Sequence, residues 1–201
     1  MNKKLSVPQY VKEIKSGTCT IDNAIKIILL ENHITTPPIN VFKIARSMNF
    51  DLFSVSFEDD NIKGIMVDSD KKYKPFNSQR FIVINKNDYN TRQLFTVGHE
   101  IGHFILHCNN KVNFYERYTE NKNCKGDTEK EQIEKQADFF SASLLMPSSW
   151  VDDFILKLKK NSPNINDNSI ITLLSQYFLV SEETAKRRLI ERKKANAKVL
   201  K

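Results

Sequence analysis

The sequence predicts an α+β protein, mostly helical, with a small three-stranded antiparallel sheet and a C-terminal helical tail of helix-turn-helix-like pattern. Two observations predict it. Apolar residues recur at three- and four-residue intervals through most of the 201 residues. Between residues 52 and 85 that period gives way to three short runs, LFSVSF, GIMVD and RFIVIN, rich in β-branched and aromatic side chains. The length suits one domain of ordinary size with its own core, so no metal is needed merely to fold it.

From Pro8 to about Leu30 two short helical patterns appear, the second carried by Ile21, Ala24, Ile25 and Ile28. In TTPPINVFKIARSMNF, Thr36 is placed to cap a third helix and Pro37 to occupy its first turn, with Ile39, Phe42, Ala45 and Met48 as its apolar stripe. The three strand-like runs follow, separated by the turn-prone clusters EDDN and SDKKYKPFNS. Thr91 then opens a helix containing FTVGHEIGHFILH. The polar stretch NNKVNFYERYTENKNCKGD after it is expected to form a loop. Thr128, with Glu131 three residues on, has the pattern of a capping box at the head of TEKEQIEKQADFFSASLLMP, and Pro147 closes that helix. Beyond Trp150 come a lysine-rich amphipathic piece, a turn at NSPNINDNS, and two helical patterns joined at Val180 and Ser181.

The formal net charge is +7 and the pI about 9.2. Such a balance favours acidic partners or nucleic acid without establishing either. Cys19, Cys108 and Cys124 are odd in number and contain no CxxC pair, which argues against a disulfide framework and against a cysteine-built metal site. The start, MNKKLSVPQYVKEIKSG, lacks the apolar run of a signal peptide, and apolar stretches such as IKIILL are far too short to span a bilayer. A cytoplasmic, membrane-free location is expected.

Three of the four histidines lie in FTVGHEIGHFILH at intervals of four: His99, His103 and His107. Residues four apart share a helix face, so His99 and His103 can present ring nitrogens to one zinc ion, which is the physical content of HExxH. Glu100 falls beside them, where its carboxylate can take a proton from a zinc-bound water and pass it to a leaving amine. Chance would produce the motif in on the order of one per cent of such sequences. His107 lies roughly 12 Å along the axis from His99 and cannot share the ion with it. The longer HExxHxxGxxH pattern fails as well, since Leu106 and Asn109 stand where its glycine and third histidine belong.

A third ligand must come from elsewhere. Glu134 and Asp138 lie four apart on the next helix, with the small residues Ala137 and Ser141 on the same side to allow close approach. Glu134 can complete the shell, with Glu131 as its rival, and Asp138 can fix the tautomer of a zinc-bound histidine by accepting from its other ring nitrogen. Two histidines, one glutamate and an open position form the ligand set of thermolysin-type catalytic zinc sites. Gly98 and Gly102 would let a strand or the partner helix pack tightly on the motif. Tyr115 and Tyr118 are candidates for the oxyanion donor that such chemistry usually requires. An extended substrate could add to an exposed sheet edge, either GIMVD or RFIVIN, although core packing is the safer reading of both runs. In the C-terminal pair, Ser181 would cap the last helix, and Lys186, Arg187 and Arg188 could face a phosphate backbone. The competing reading, and the favoured one, packs Leu173, Leu174, Phe178, Ala185 and Leu189 onto the rest of the protein and leaves the basic residues solvated.

RQLFTVGHEIGHFILH followed by EKQADFFSASLLMP resembles the ImmA/IrrE family of zinc metallopeptidases, and the likeness extends over most of residues 37 to 147. It implies a zincin-like catalytic core at 37–150 between an N-terminal helical segment, 1–36, and a C-terminal helical subdomain, 151–201. It implies zinc held by His99, His103 and Glu134, with Glu100 as general base. Where the family often has asparagine after the ExxA alanine, this chain has Asp138, which suits a carboxylate behind a zinc histidine. The resemblance further implies an anti-repressor, an endopeptidase that cuts a helix-turn-helix transcriptional repressor. The alternative is a zinc-stabilised regulator without turnover, which sequesters a repressor or binds DNA through its basic C-terminal helices.

Overall fold

A computed structural model describes residues 7–17, 19–59, 62–107, 113–118 and 128–199, with the backbone alone described for 113–118, 128–130 and 196–199. The chain order is α1 (Gln9–Lys15), α2 (Ile21–Glu31), α3 (Val41–Ser47), β1 (Asp51–Val55), β2 (Ile62–Tyr73), β3 (Ser78–Asn85), α4 (Asn90–Leu106), β4 (Asn113–Tyr118), α5 (Thr128–Leu145), α6 (Ser148–Asn161), α7 (Asp167–Phe178) and α8 (Glu182–Val199). Short polar side chains start several of these helices. The side chains of Thr20, Asn40, Asn166 and Ser181 accept the backbone N–H three residues on, at 3.3, 3.0, 2.9 and 3.2 Å. α3 therefore begins at Val41 behind Asn40, later than the expected start at Thr36 and Pro37. Pro38 explains the delay, because a proline disfavours helical geometry in the residue before it. No helix among the described residues is long and apolar enough to cross a membrane.

The α+β class holds, but the sheet differs from expectation in two ways. It has four strands, ordered β1-β3-β2-β4, and it is mixed. β1 runs parallel to β3, with Asp51 opposite Phe81 and Val55 opposite Asn85. β2 runs antiparallel to β3 and also to β4, so Gly64 stands between Ile84 on one side and Arg117 on the other. After β1 the chain passes to the far side of β3's position, forms β2, and returns through a hairpin, which leaves β3 central. The fourth strand arises from the segment expected to be a loop, while much of the remainder of that segment lies outside the described residues. β2 also continues through SDKKY, read from sequence as turn, and the chain reverses after Tyr73.

β3 is buried at every position. Met66, Ile82 and Ile84 turn toward the helices, whereas Val67, Phe81 and Val83 meet Phe53, Val55, Phe57, Ile65 and Phe76 on the other face. Burial on both faces accounts for the near-continuous apolar run RFIVIN. Arg80 in that run is wholly buried, donating from Nε to Asp68 at 2.9 Å and from Nη1 to the Met48 carbonyl at 3.0 Å. Its charge is compensated where burial would otherwise be costly. One apolar core joins residues of α1, α2 and α3, the inner sheet face, α4, α5 and the C-terminal helices, with Ile28, Ile44, Ile101, Phe104, Phe140 and Leu174 fully inside. Against this core the sheet lies on one side of α4 and α5 on another.

Candidate metal centre

α4 and α5 run antiparallel in close contact, and small residues make that possible. A Cβ added at Gly98 would fall 2.6 Å from Ser141 Oγ, and one at Gly102 would fall 3.2 Å from the Ala137 Cα and carbonyl oxygen. The expected role of these four residues is met, with the partner being the helix rather than a strand. Ser141 adds a direct tie, donating to the Phe95 carbonyl at 2.8 Å.

This approach brings Glu134 onto the histidine pair. His99 Nε2 is 3.2 Å from Glu134 Oε2, His103 Nε2 is 3.3 Å from Glu134 Oε1, and the two Nε2 atoms are 2.8 Å apart. One donor atom from each of the three residues lies within 4.8 Å of the others, a group that could hold a metal ion. A tetrahedral zinc with bonds of about 2.0–2.1 Å would separate its donors by about 3.3 Å. The two histidine–glutamate separations match that edge and the histidine pair is slightly tighter, so the donor set fits such an ion. Both histidines are about 1% exposed, while the Glu134 side chain is 35% exposed, which places the open side of the centre along α5.

Asp138 Oδ1 lies 2.8 Å from His99 Nδ1. A carboxylate there accepts the Nδ1 proton and leaves the Nε2 lone pair directed at the centre. Burial holds His103 below its ordinary pKa, against the pull of its hydrogen bond with Glu134 and with help from the neighbouring His99. For Glu134 burial works toward protonation, but its interactions with His103 and His99 outweigh it and keep the carboxyl well below the usual carboxylate range. Neutral imidazoles and an ionised carboxylate are the forms that bind a metal. Glu131, the rival ligand, is exposed and pairs with Lys135 at the surface, away from the three-residue group.

Glu100 is fully buried on α4, and β2 passes close over it: a Cβ added at Gly64 would lie 3.0 Å from Glu100 Oε1 and 2.4 Å from Thr96 Cγ2. Gly64 is the site residue that sequence reasoning did not single out. Its only signal was a glycine inside a strand pattern, which often marks close approach of another group. His107 sits at the C-terminal end of α4, half-buried, its ring centroid 5.6 Å from that of His103.

The remaining candidates lie on β4 and α8. Tyr115 and Tyr118 lie on β4 opposite Met66 and Ile62, and their side chains lie outside the described residues. Lys186 and Arg187 are exposed on α8, with Arg187 paired to Glu183. Arg188 does not face solvent as a phosphate contact would require. Only 2% exposed, it donates to the Met146 carbonyl at 2.9 Å, to Ser148 Oγ at 2.9 Å and to Glu191 at 3.0 Å. Leu174, Phe178, Ala185 and Leu189 are buried beside it, while Leu173 is 36% exposed.

Comparison with known proteins bears on this arrangement. A Mycobacterium tuberculosis transcriptional regulator of known structure superposes with a TM-score of 0.54 at 14% identity, covering 90% of this chain and 51% of its own. That likeness establishes the fold, and the chain spans about half the length of that regulator. No curated protein matches the sequence. The sequence profile of the IrrE N-terminal-like domain, Peptidase_M78, matches residues 46–190, a span containing both α4 with its HExxH motif and Glu134 on α5. The chain belongs to the Peptidase_M78 family, the IrrE N-terminal-like domain family.

Proposed function

We propose that the protein is a zinc-dependent endopeptidase that cuts a protein substrate, a helix-turn-helix transcriptional repressor, and so relieves repression in the cytoplasm. The observation that carries this reading is the convergence of His99, His103 and Glu134 within 4.8 Å, with Glu100 buried on the same helix. Membership of a metallopeptidase family and a fold shared with a transcriptional regulator support it. When bound, zinc would act as a Lewis acid toward water and the scissile carbonyl.

The remaining steps belong to the chain's own groups. His99, His103 and Glu134 hold the ion, and Asp138 keeps the Nδ1 proton on His99 so that Nε2 binds. Glu100 takes the proton from the attacking water and delivers it to the departing amine, which converts an amide anion leaving group into a neutral amine. β2 at Gly64 packs over Glu100 and excludes solvent from that side. The exposed flank of Glu134 and Asp138 is where a peptide enters. The inward turn of Arg188 favours a packing role for the C-terminal pair over DNA contact.

A reporter held by the repressor encoded beside this gene tests the reading in cells. Co-expressed wild type should release the reporter and generate a repressor fragment, and Glu100→Gln should do neither. Release of the reporter by Glu100→Gln with the repressor intact would replace hydrolysis with sequestration.

A further inference from the structure

The α4–α5 interface has three successive levels. At the first, Gly98 faces Ser141; at the second, Gly102 faces Ala137. About one turn further along each helix, the same antiparallel register brings the end of α4 to Ile133. The α4 residue there is His107, whose ring hydrogen-bonds the Ile133 backbone carbonyl. A helical carbonyl carries a second lone pair and can accept this bond alongside its intrahelical one.

The levels differ in kind. The two glycine levels bring the helices together through missing side chains. The directional ties there, Ser141 to Phe95 and Asp138 to His99, hold α5 on the C-terminal side of Glu134, so that the turn ahead of Glu134 can still turn or slide. A hydrogen bond is directional and restricts both. Glu134 follows Ile133 directly and lies between the second and third levels, so its backbone is held by Gly102 and Ala137 on one side and by His107 on the other. His107 is itself fixed to the ligand-bearing helix, its backbone N–H donating to the His103 carbonyl at 2.9 Å, with its ring packed 5.6 Å from the His103 ring. One side chain thus touches both a histidine of the centre and the residue preceding its glutamate.

We propose that His107 is a positioning residue of the metal centre: by binding the Ile133 carbonyl it fixes the turn of α5 from which Glu134 reaches His99 and His103. The inference rests on the reading of those three residues as metal ligands. It requires no approach of His107 to the ion. It also gives the third histidine of FTVGHEIGHFILH a task distinct from that of the first two.

Zinc affinity of the purified full chain, measured by competition with a chromophoric chelator, tests the proposal. His107→Leu should weaken zinc binding by about tenfold to a hundredfold, the range for lost support behind a metal ligand. His107→Gln, which keeps an N–H donor, should recover most of that loss. In the Glu134→Ala background His107→Leu should cause no further loss, because the ligand it positions is gone. Thermal midpoints of the metal-free proteins should not follow the same order. If the leucine variant does not fold, His107→Met, also without a donor, gives the same comparison. Unchanged affinity in His107→Leu, or an equal loss with and without Glu134, overturns the proposal while the ligand set stands. Zinc binding by wild type that is absent, or indifferent to Glu134→Ala, removes the ligand set and the proposal with it.

Discussion

In the folded protein His103 is held toward its neutral form and Glu134 toward its ionised form. Burial disfavours the protonated imidazole, and for the carboxylate burial is outweighed by its interactions with the histidine pair, which favour the ionised form. Both shifts lower the folded-state pKa, so their contributions to stability have the same sign. Below the ordinary histidine value of 6.5 the unfolded chain takes up a proton that folded His103 resists, and stability falls. The contribution of Glu134 is present above its ordinary 4.5 and disappears as pH falls through its lowered folded value. Metal-free protein should therefore unfold at a lower urea midpoint at pH 5.5 than at pH 7.5, and His103→Asn should reduce the difference. Equal midpoints for wild type at the two pH values would contradict this account of the buried pair. At this scale the sequence was most informative where the candidate ligands share one helix: the i, i+4 spacing of His99 and His103 needs no tertiary knowledge. Choosing Glu134 over Glu131 required knowing how α5 faces α4, and the part played by Gly64 required knowing that β2 crosses Glu100.

The helix pair illustrates how elements create the site. Gly98 and Gly102 on one helix and Ser141 and Ala137 on the other let the backbones approach closely enough for a glutamate to meet two imidazoles. At Gly102 the neighbours of an added Cβ are the Ala137 backbone and Phe140 Cβ, all at 3.2 Å, and neither can swing aside as a flexible side chain would. Gly102→Ala should cost about 1–3 kcal/mol of stability through overpacking, in spite of alanine's better helix propensity. It should also weaken zinc binding by moving Glu134 away from His103. Urea unfolding and a zinc titration on the same preparation check both effects, and an unchanged zinc affinity would show that the centre tolerates a wider helix spacing. The helices were legible from their periodicity, but not all of their starts: Ser181 caps as expected, whereas Asn40 caps α3 in place of Thr36 and the caps Thr20 and Asn166 had not been singled out. The sheet was less so. β4, NFYERY, carries three aromatic residues but lies in a polar stretch that hides it, and the parallel pairing of β1 with β3 depends on connectivity that no local run of residues encodes.

Across the whole molecule, one core draws on both ends of the chain. Val11 and Ile28 from α1 and α2 share it with Leu174, Phe178 and Leu189 from α7 and α8. Arg188 extends that integration: a residue that looks like part of a basic stripe in KRRLIERKK instead satisfies the Met146 carbonyl at the end of α5. Sequence shows that an arginine sits beside two other basic residues, and only the fold shows that it points inward. On the proposed reading, this single core supports one buried centre whose exposed flank lies along α5. The most direct test is the intact mass of a purified helix-turn-helix repressor, the one encoded beside this gene, after incubation with zinc-loaded protein. Wild type should yield two fragments whose masses sum to the parent plus one water, and Glu100→Gln, loaded with the same zinc, should leave the repressor whole. A repressor that stays intact with wild type, or is cut equally by Glu100→Gln, would contradict the account.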